Sequence, residues 1–225
     1  MNIALLGAEC TGKSTLAAAL LDHFSSLPLT REPSPGPFAL SVSETLRDWC
    51  SLRGRTPMSH EQAGIAHEQA LALENARAQL GPHGVLVADT TPLMTAVYSL
   101  FYFQDASLLP FGLEQQRRFS HTLVTALDLP WRTDGIQRDG PATAQAVDGL
   151  LRRTLDEAGL SFQVIHGRGS ARLAQALAVL QHRPSPRCSE HGTSWHTCAQ
   201  CGDARAERQL FSRLVARPTD SHDTF

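Results

Sequence analysis

Lysine is almost missing from this chain of 225 residues: of twenty basic residues, nineteen are arginine and one, Lys13, is lysine. No second lysine exists to build the Asn-Lys-x-Asp segment with which guanine-selective switches read their base, so any nucleotide site here is expected to take ATP. Excess charge is also missing. A net charge of −2 leaves no bulk field to hold nucleic acid or an anionic membrane surface. No run approaches the ~18 uninterrupted apolar residues of a membrane helix. Met1 to Gly7 lacks the basic leader and the longer apolar run of a secretory signal. The expected location is the cytoplasm. Cysteines number only five, an odd count with three bunched after residue 187, which does not fit a disulfide framework.

What is present is an apolar fraction of 42%, enough for a sizeable core. At about 150 residues per domain, the length predicts one domain plus an appendage. A change of composition at Arg183-Pro184-Ser185-Pro186-Arg187 sets the division at 1–182 and 183–225. Strands are predicted at Asn2 to Leu6, Leu27 to Glu32, Gly84 to Asp89, His121 to Leu127 and Ser161 to His166. Helices are predicted at Ser14 to Phe24, Ser41 to Leu52, Ser59 to Leu80, Leu93 to Phe103, Glu114 to Phe119, Ala142 to Ala158 and Ala171 to Leu180. Pro33, Pro35 and Pro37 are read as ending the second strand. The run Val85-Leu86-Val87-Ala88 is continuous rather than alternating, as in a strand covered on both faces. The fold class is therefore α/β: a doubly wound parallel sheet of about five strands with helices on both faces, and a small Cys-rich C-terminal appendage.

Gly7-Ala8-Glu9-Cys10-Thr11-Gly12-Lys13-Ser14 fits G-x4-G-K-[ST], with a strand before it and a helix after it. In such a P-loop, successive amides surround a phosphate and the following helix points its positive end at it. Lys13 would reach the terminal phosphates and Ser14 would hold Mg²⁺, with Thr15 next to it in the helix. The simpler alternative, a glycine-rich turn matching by chance, does not account for a lysine in a chain that elsewhere uses arginine. Cys10 reads as a small loop residue rather than a nucleophile, and the ten histidines receive no catalytic role.

Asp89 ends an apolar strand, where an acid can face Mg²⁺ or an acceptor hydroxyl. It would equally suit the cap of the helix after it. Glu32 stands beside Arg31 at a strand end, the edge where wound sheets bind ligands, or else is a solvated charge before prolines. Trp131 to Gly140 carries Arg132 and Arg138 with two glycines. It is read as a mobile loop that brings positive charge over the γ-phosphate, the alternative being ordinary surface arginines.

The phosphate loop, Ile65-Ala66-x-x-Gln69, the segment Asp89-Thr90-Thr91-Pro92-Leu93-Met94-Thr95 and Asp128-Leu129-Pro130-Trp131-x-x-Asp134-Gly135 together resemble the kinase domain of the bacterial NadR family. The resemblance runs in order from residue 1 to about 180. The loop motif is generic and the Asp-Leu-Pro-Trp segment more specific. It implies an enzyme that phosphorylates nicotinamide riboside with ATP. Gly7 to Thr15 would hold ATP and Mg²⁺, Asp89 would meet the acceptor hydroxyl or the metal, and Arg138 would belong to a lid. Gly167 to Arg172 would lie near the adenine, and Gln69, Asp134 and Glu32 would go with the substrate. Two positions depart from the family pattern. Thr91 stands where a second acid is usual, and only Arg31-Glu32 answers the Glu-Tyr-x-Arg-Glu-like segment expected after the second strand. The adenylyltransferase domain that accompanies this kinase in NadR has no room in 225 residues.

Cys198-x-x-Cys201 has the spacing of a zinc knuckle, and Cys188-x-x-His191 offers a second pair, with His196 as an alternate. The two halves are closer than in a finger or ribbon, and a reduced, metal-free tail is the alternative. The expected function is phosphoryl transfer from MgATP to a small nucleoside-like acceptor. The rival is a regulatory ATPase module whose Cys-rich tail engages a protein partner, a second subunit or nucleic acid.

Overall fold

The computed structural model describes residues 1–27, 36–131 and 140–181. The expectations for Glu32, for Arg132, Asp134 and Arg138, and for Cys188, His191, Cys198 and Cys201 lie outside the described residues. In chain order the elements are β1 (Asn2–Leu6), α1 (Lys13–Ser26), β2 (Ala39–Val42), α2 (Thr45–Arg53), α3 (Ser59–Gln79), β3 (Val85–Asp89) and α4 (Pro92–Phe103). They continue with α5 (Leu109–Gln116), β4 (His121–Thr125), α6 (Pro141–Glu157), β5 (Gln163–Ile165) and α7 (Gly169–Gln181).

The strands form one five-stranded sheet in the order β2-β3-β1-β4-β5, every pairing parallel. After β1 the chain builds one side of the sheet, then crosses to build the other. This reversal opens a crevice beyond the carboxyl ends of the central strands, where such sheets bind ligands. β3 is buried at every position and β1 at all but Asn2, because helices cover both faces. Ile3 and Leu5 pack with Leu16 and Leu20 of α1 and Ala176 and Val179 of α7. On the opposite face Leu6 and Val124 meet Leu93 and Val97 of α4 and Val147 and Leu151 of α6. Next to them Leu73 and Ala76 of α3 cover Leu86 and Ala88. Each such leucine contributes about 1.5–3 kcal/mol by leaving water. Among the described residues no helix is long and apolar enough to cross a membrane.

The second strand is a correction. Among the described residues the second strand is Ala39–Val42, which follows the prolines, while the expected strand at Leu27 to Glu32 lies, from residue 28 on, outside the described residues. Leu27 caps the end of α1, and Ser41 and Val42, expected to open a helix, belong to the strand. β2 pairs only with β3, so it is an edge strand. Leu40 and Val42 lean on the α3 cluster while Ser41 between them is exposed, an alternation that a short window confuses with helical spacing. α5 also begins earlier than expected, with Pro110 in its first turn, where a missing N–H costs nothing.

Candidate active site

Gly7 to Ser14 joins β1 to α1. Gly12 is the N-cap of α1 in the left-handed region, φ 78°, and offers no side chain to its amides. A side chain there would also press within 2.9 Å of Leu129 Cδ1. The first turn of α1 carries no acid, so its free N–H groups and positive dipole end remain available to an anion. Cys10 also takes a left-handed conformation, φ 61°. The loop is pinned from below: the Thr11 hydroxyl donates to Ala8 C=O at 2.7 Å and accepts from the Thr125 hydroxyl, at the end of β4, at 2.6 Å.

Lys13 is buried, its Nζ donating to the carbonyls of Gly7 at 2.9 Å and Ala8 at 2.8 Å. Burial lowers its pKa from the ordinary lysine value, while the charges of Glu44, Asp89 and Glu9 act in the opposite direction. Glu44 lies two residues beyond the end of β2, and Asp89 ends the adjacent β3. Two carboxylates near neighbouring strand ends therefore act on the Lys13 ammonium.

Asp89 is 5% exposed, and its Oδ1 has no hydrogen-bond partner among the described residues. It does not cap α4: the N-cap is Thr91. Between them Thr90 sits at φ 80°, a conformation β-branched residues avoid and one that costs of the order of 1–3 kcal/mol where it is enforced. Thr91, in the place of the second acid, is buried and donates to Gln116 Oε1 at 2.7 Å, and Gln116 Nε2 donates to the Thr122 hydroxyl at 2.9 Å.

Glu44 and Arg47 were missed from sequence. The Arg47 guanidinium pairs with Glu44 at 3.0 Å and donates to Ser14 Oγ at 2.9 Å, linking the second strand's end to the phosphate loop. Glu44-Thr45-Leu46-Arg47-Asp48 follows β2, and the available signal was an acid and an arginine three apart after a short alternating run. Tyr98 on α4 was missed as well. Burial, then the charges of Glu44 and Glu9, raise its pKa well above that of free tyrosine, so its hydroxyl stays a donor.

The remaining expected residues are distributed as follows. Gln69 is 1% exposed and bonds to the backbone at Ser43 and Thr45. Arg172, also buried, bridges Thr11 C=O and the Asp128 carboxylate; Asp128 Oδ2 accepts from Gly167 N–H at 2.6 Å. Arg172 thus ties the phosphate loop to the ends of β4 and β5. Thr15 is exposed on α1, and Glu9 is half-buried at the loop. Among the described residues no three His, Cys, Asp or Glu side chains cluster as a metal site.

This is a P-loop fold, with its phosphate loop at the switch point of the sheet. A family described as an AAA domain matches residues 2–172, and the chain belongs to that family. No curated protein matches it. Among solved structures it is similar to NadR in complex with NR, at 21% identity and a TM-score of 0.61, over 82% of this chain and 53% of that one. NadR with NAD and AMP-PNP gives 19% identity and 0.59, over 82% and 51%. A deoxyadenosine kinase from M. mycoides with dCMP and dCDP gives 12% and 0.51, over 80% and 98%. The chain spans about half the length of the NadR structures it matches, and at these identities the likeness is one of fold.

Proposed function

We propose that this protein transfers the γ-phosphoryl group of MgATP to a hydroxyl of a small nucleoside, with nicotinamide riboside the first acceptor to test and deoxyadenosine the second. The observation that carries the reading is the pair of buried carboxylates, Glu44 and Asp89, at adjacent strand ends within the field of Lys13. An ATPase needs to position only water. Two acids beside the phosphate loop provide for a specific hydroxyl as well.

In this reading the amides of the loop and the first turn of α1 receive the phosphates, and Lys13 exchanges the carbonyls of Gly7 and Ala8 for phosphate oxygens. Ser14 and Asp89 fit a magnesium ion, since a hydroxyl in the helix's first turn and a carboxylate oxygen without a partner are the oxygen donors such an ion takes. Bound there, the ion would neutralise charge on the phosphate oxygens. Glu44 accepts the proton of the acceptor hydroxyl as it attacks, and the Tyr98 hydroxyl donates to the acceptor's other oxygens. Arg132 and Arg138 are assigned to the transferring phosphoryl group, Asp134 and Glu32 to the acceptor. The NadR and deoxyadenosine kinase folds support a nucleoside as acceptor. The Cys188, His191, Cys198 and Cys201 set is proposed to hold a structural zinc ion, which metal analysis of the purified chain would detect.

The test is ADP release by the full chain with MgATP, with and without each nucleoside. Release that depends on the nucleoside, with a phosphorylated product of matching amount, is expected. Hydrolysis at the same rate without any acceptor would overturn the kinase in favour of a regulatory ATPase.

A further inference from the structure

Glu44 is the N-cap of α2, yet its carboxylate makes no capping hydrogen bond. A side chain that caps a helix accepts from the second or third amide of its first turn, and the Glu44 carboxylate does neither. The amide that precedes those, at Thr45, is satisfied from a different helix. Gln69 Oε1, on α3, accepts from Thr45 N–H at 2.7 Å, and Gln69 Nε2 donates to Ser43 C=O at 3.1 Å. The two bonds grip the backbone immediately before and after Glu44. Gln69 is 1% exposed, and both polar ends of its amide are occupied by backbone. The Glu44 carboxylate is left to Arg47, 3.0 Å away, which reaches on to Ser14 Oγ.

We infer that Gln69 is a positioning residue: reaching from α3, its amide holds the backbone on both sides of Glu44 and so aims the Glu44 carboxylate at the reaction centre. The inference rests on the phosphoryl-transfer reading above and replaces a direct substrate contact for Gln69. Only a side chain with one donor and one acceptor at this reach can make both bonds. Glutamate keeps the acceptor for Thr45 and loses the donor for Ser43; methionine keeps the volume and loses both.

The experiment is a double-mutant cycle on the full chain, following ADP release with nicotinamide riboside, or with deoxyadenosine should that be the faster acceptor. Gln69→Met is expected to lower kcat/KM for the acceptor about tenfold, as one lost alignment of a reacting group would, while KM for ATP stays within about twofold. Gln69→Glu should fall between it and the parent. In a Glu44→Gln background, Gln69→Met should cost less than about twofold more, because Gln69 acts through the carboxylate already removed. Losses that multiply, or a KM for ATP that rises in step, would overturn the inference. Should Gln69→Met fail to fold, Gln69→Glu carries the same cycle. Hydrogen exchange at the Thr45 amide gives a readout without turnover: faster exchange in Gln69→Met is expected, and unchanged exchange overturns the inference by itself. A parent protein that hydrolyses ATP regardless of nucleoside overturns the kinase reading, a result recognisable before any variant is made, and the positioning role falls with it.

Discussion

The phosphate loop and the acceptor edge lie at the same end of one sheet and are built in opposite ways. The loop is eight consecutive residues whose geometry is largely local: two glycines, a helix start, a lysine folded onto the carbonyls of Gly7 and Ala8. The acceptor edge is drawn from β2, α2, α3, β3 and α4, and no two of its groups owe their proximity to sequence spacing except Glu44 and Arg47. A local device tolerates change in the rest of the fold, whereas an assembled one depends on every element that carries a part. Substitutions should therefore separate into those that affect the donor and those that affect the acceptor.

The largest effect is expected at the lysine of the phosphate loop. Lys13→Ala should lower turnover by about 10³-fold, with MgATP binding lost in calorimetry. Turnover within tenfold of the parent would place the phosphates elsewhere and end the comparison. The same residue makes a second, thermodynamic prediction. Desolvation lowers the Lys13 pKa below the ordinary 10.5. The unfolded chain therefore binds more protons between the folded value and 10.5, and this group's contribution to stability rises with pH across that window. Lys13→Met should flatten that rise in urea unfolding of the nucleotide-free protein.

Glu44→Gln comes next and belongs to the acceptor side alone. Loss of a general base costs about 10²-fold or more in kcat, with MgATP affinity expected within about threefold of the parent because the loop amides and Lys13 remain. An equal loss of MgATP affinity would show that the carboxylate serves Lys13 rather than the acceptor.

The same division decides what could be read from sequence. The phosphate loop was legible in full, because G-x4-G-K-[ST] encodes its own backbone geometry. Asp89 was legible because β3 is apolar to its last residue. Glu44 and Arg47 were not, since their meaning depends on where β2 ends, and Ala39–Val42 is four residues on an edge with three prolines just ahead. Gln69 was singled out by resemblance, but its work is done on the backbone of a segment 24 and 26 residues away, which helical spacing along α3 does not reveal. Arg172 reaches the loop only because α7 returns beside α1.

A smaller effect should appear when the loop's support is loosened without touching phosphate contacts. Thr125→Val keeps the volume and removes the donor to Thr11 Oγ1. One net hydrogen bond is worth about 1 kcal/mol, so unfolding free energy should fall by about that amount and KM for ATP rise about fivefold. KM for the acceptor should stay level. A matching rise in both would mean that β4 supports the two regions together.

The smallest effect is at the far anchor of the acceptor edge. Glu61, in the first turn of α3, accepts two hydrogen bonds of 2.7 Å from the Arg55 fork and one of 2.8 Å from Met58 N–H. The Arg55 side chain, then the Met58 amide, holds the Glu61 carboxyl down to about 2 against 4.5 for the free side chain. A carboxyl depressed in this way lends its stability above the unfolded value of 4.5, and the contribution is lost as pH falls through about 2. The group is a surface one and its contribution is small in water and salt, but its place is informative, because Arg55 follows α2 and Glu61 begins α3. Between about pH 5 and 2.5, protection from amide exchange, taken relative to the intrinsic rate at each pH, should fall at residues 58–61 before it falls in the first turns of α1, and Glu61→Gln should bring that loss of protection to neutral pH. Simultaneous loosening of α1 and α3 would mean that the two regions melt as one unit, and that the loop's independence is confined to its geometry.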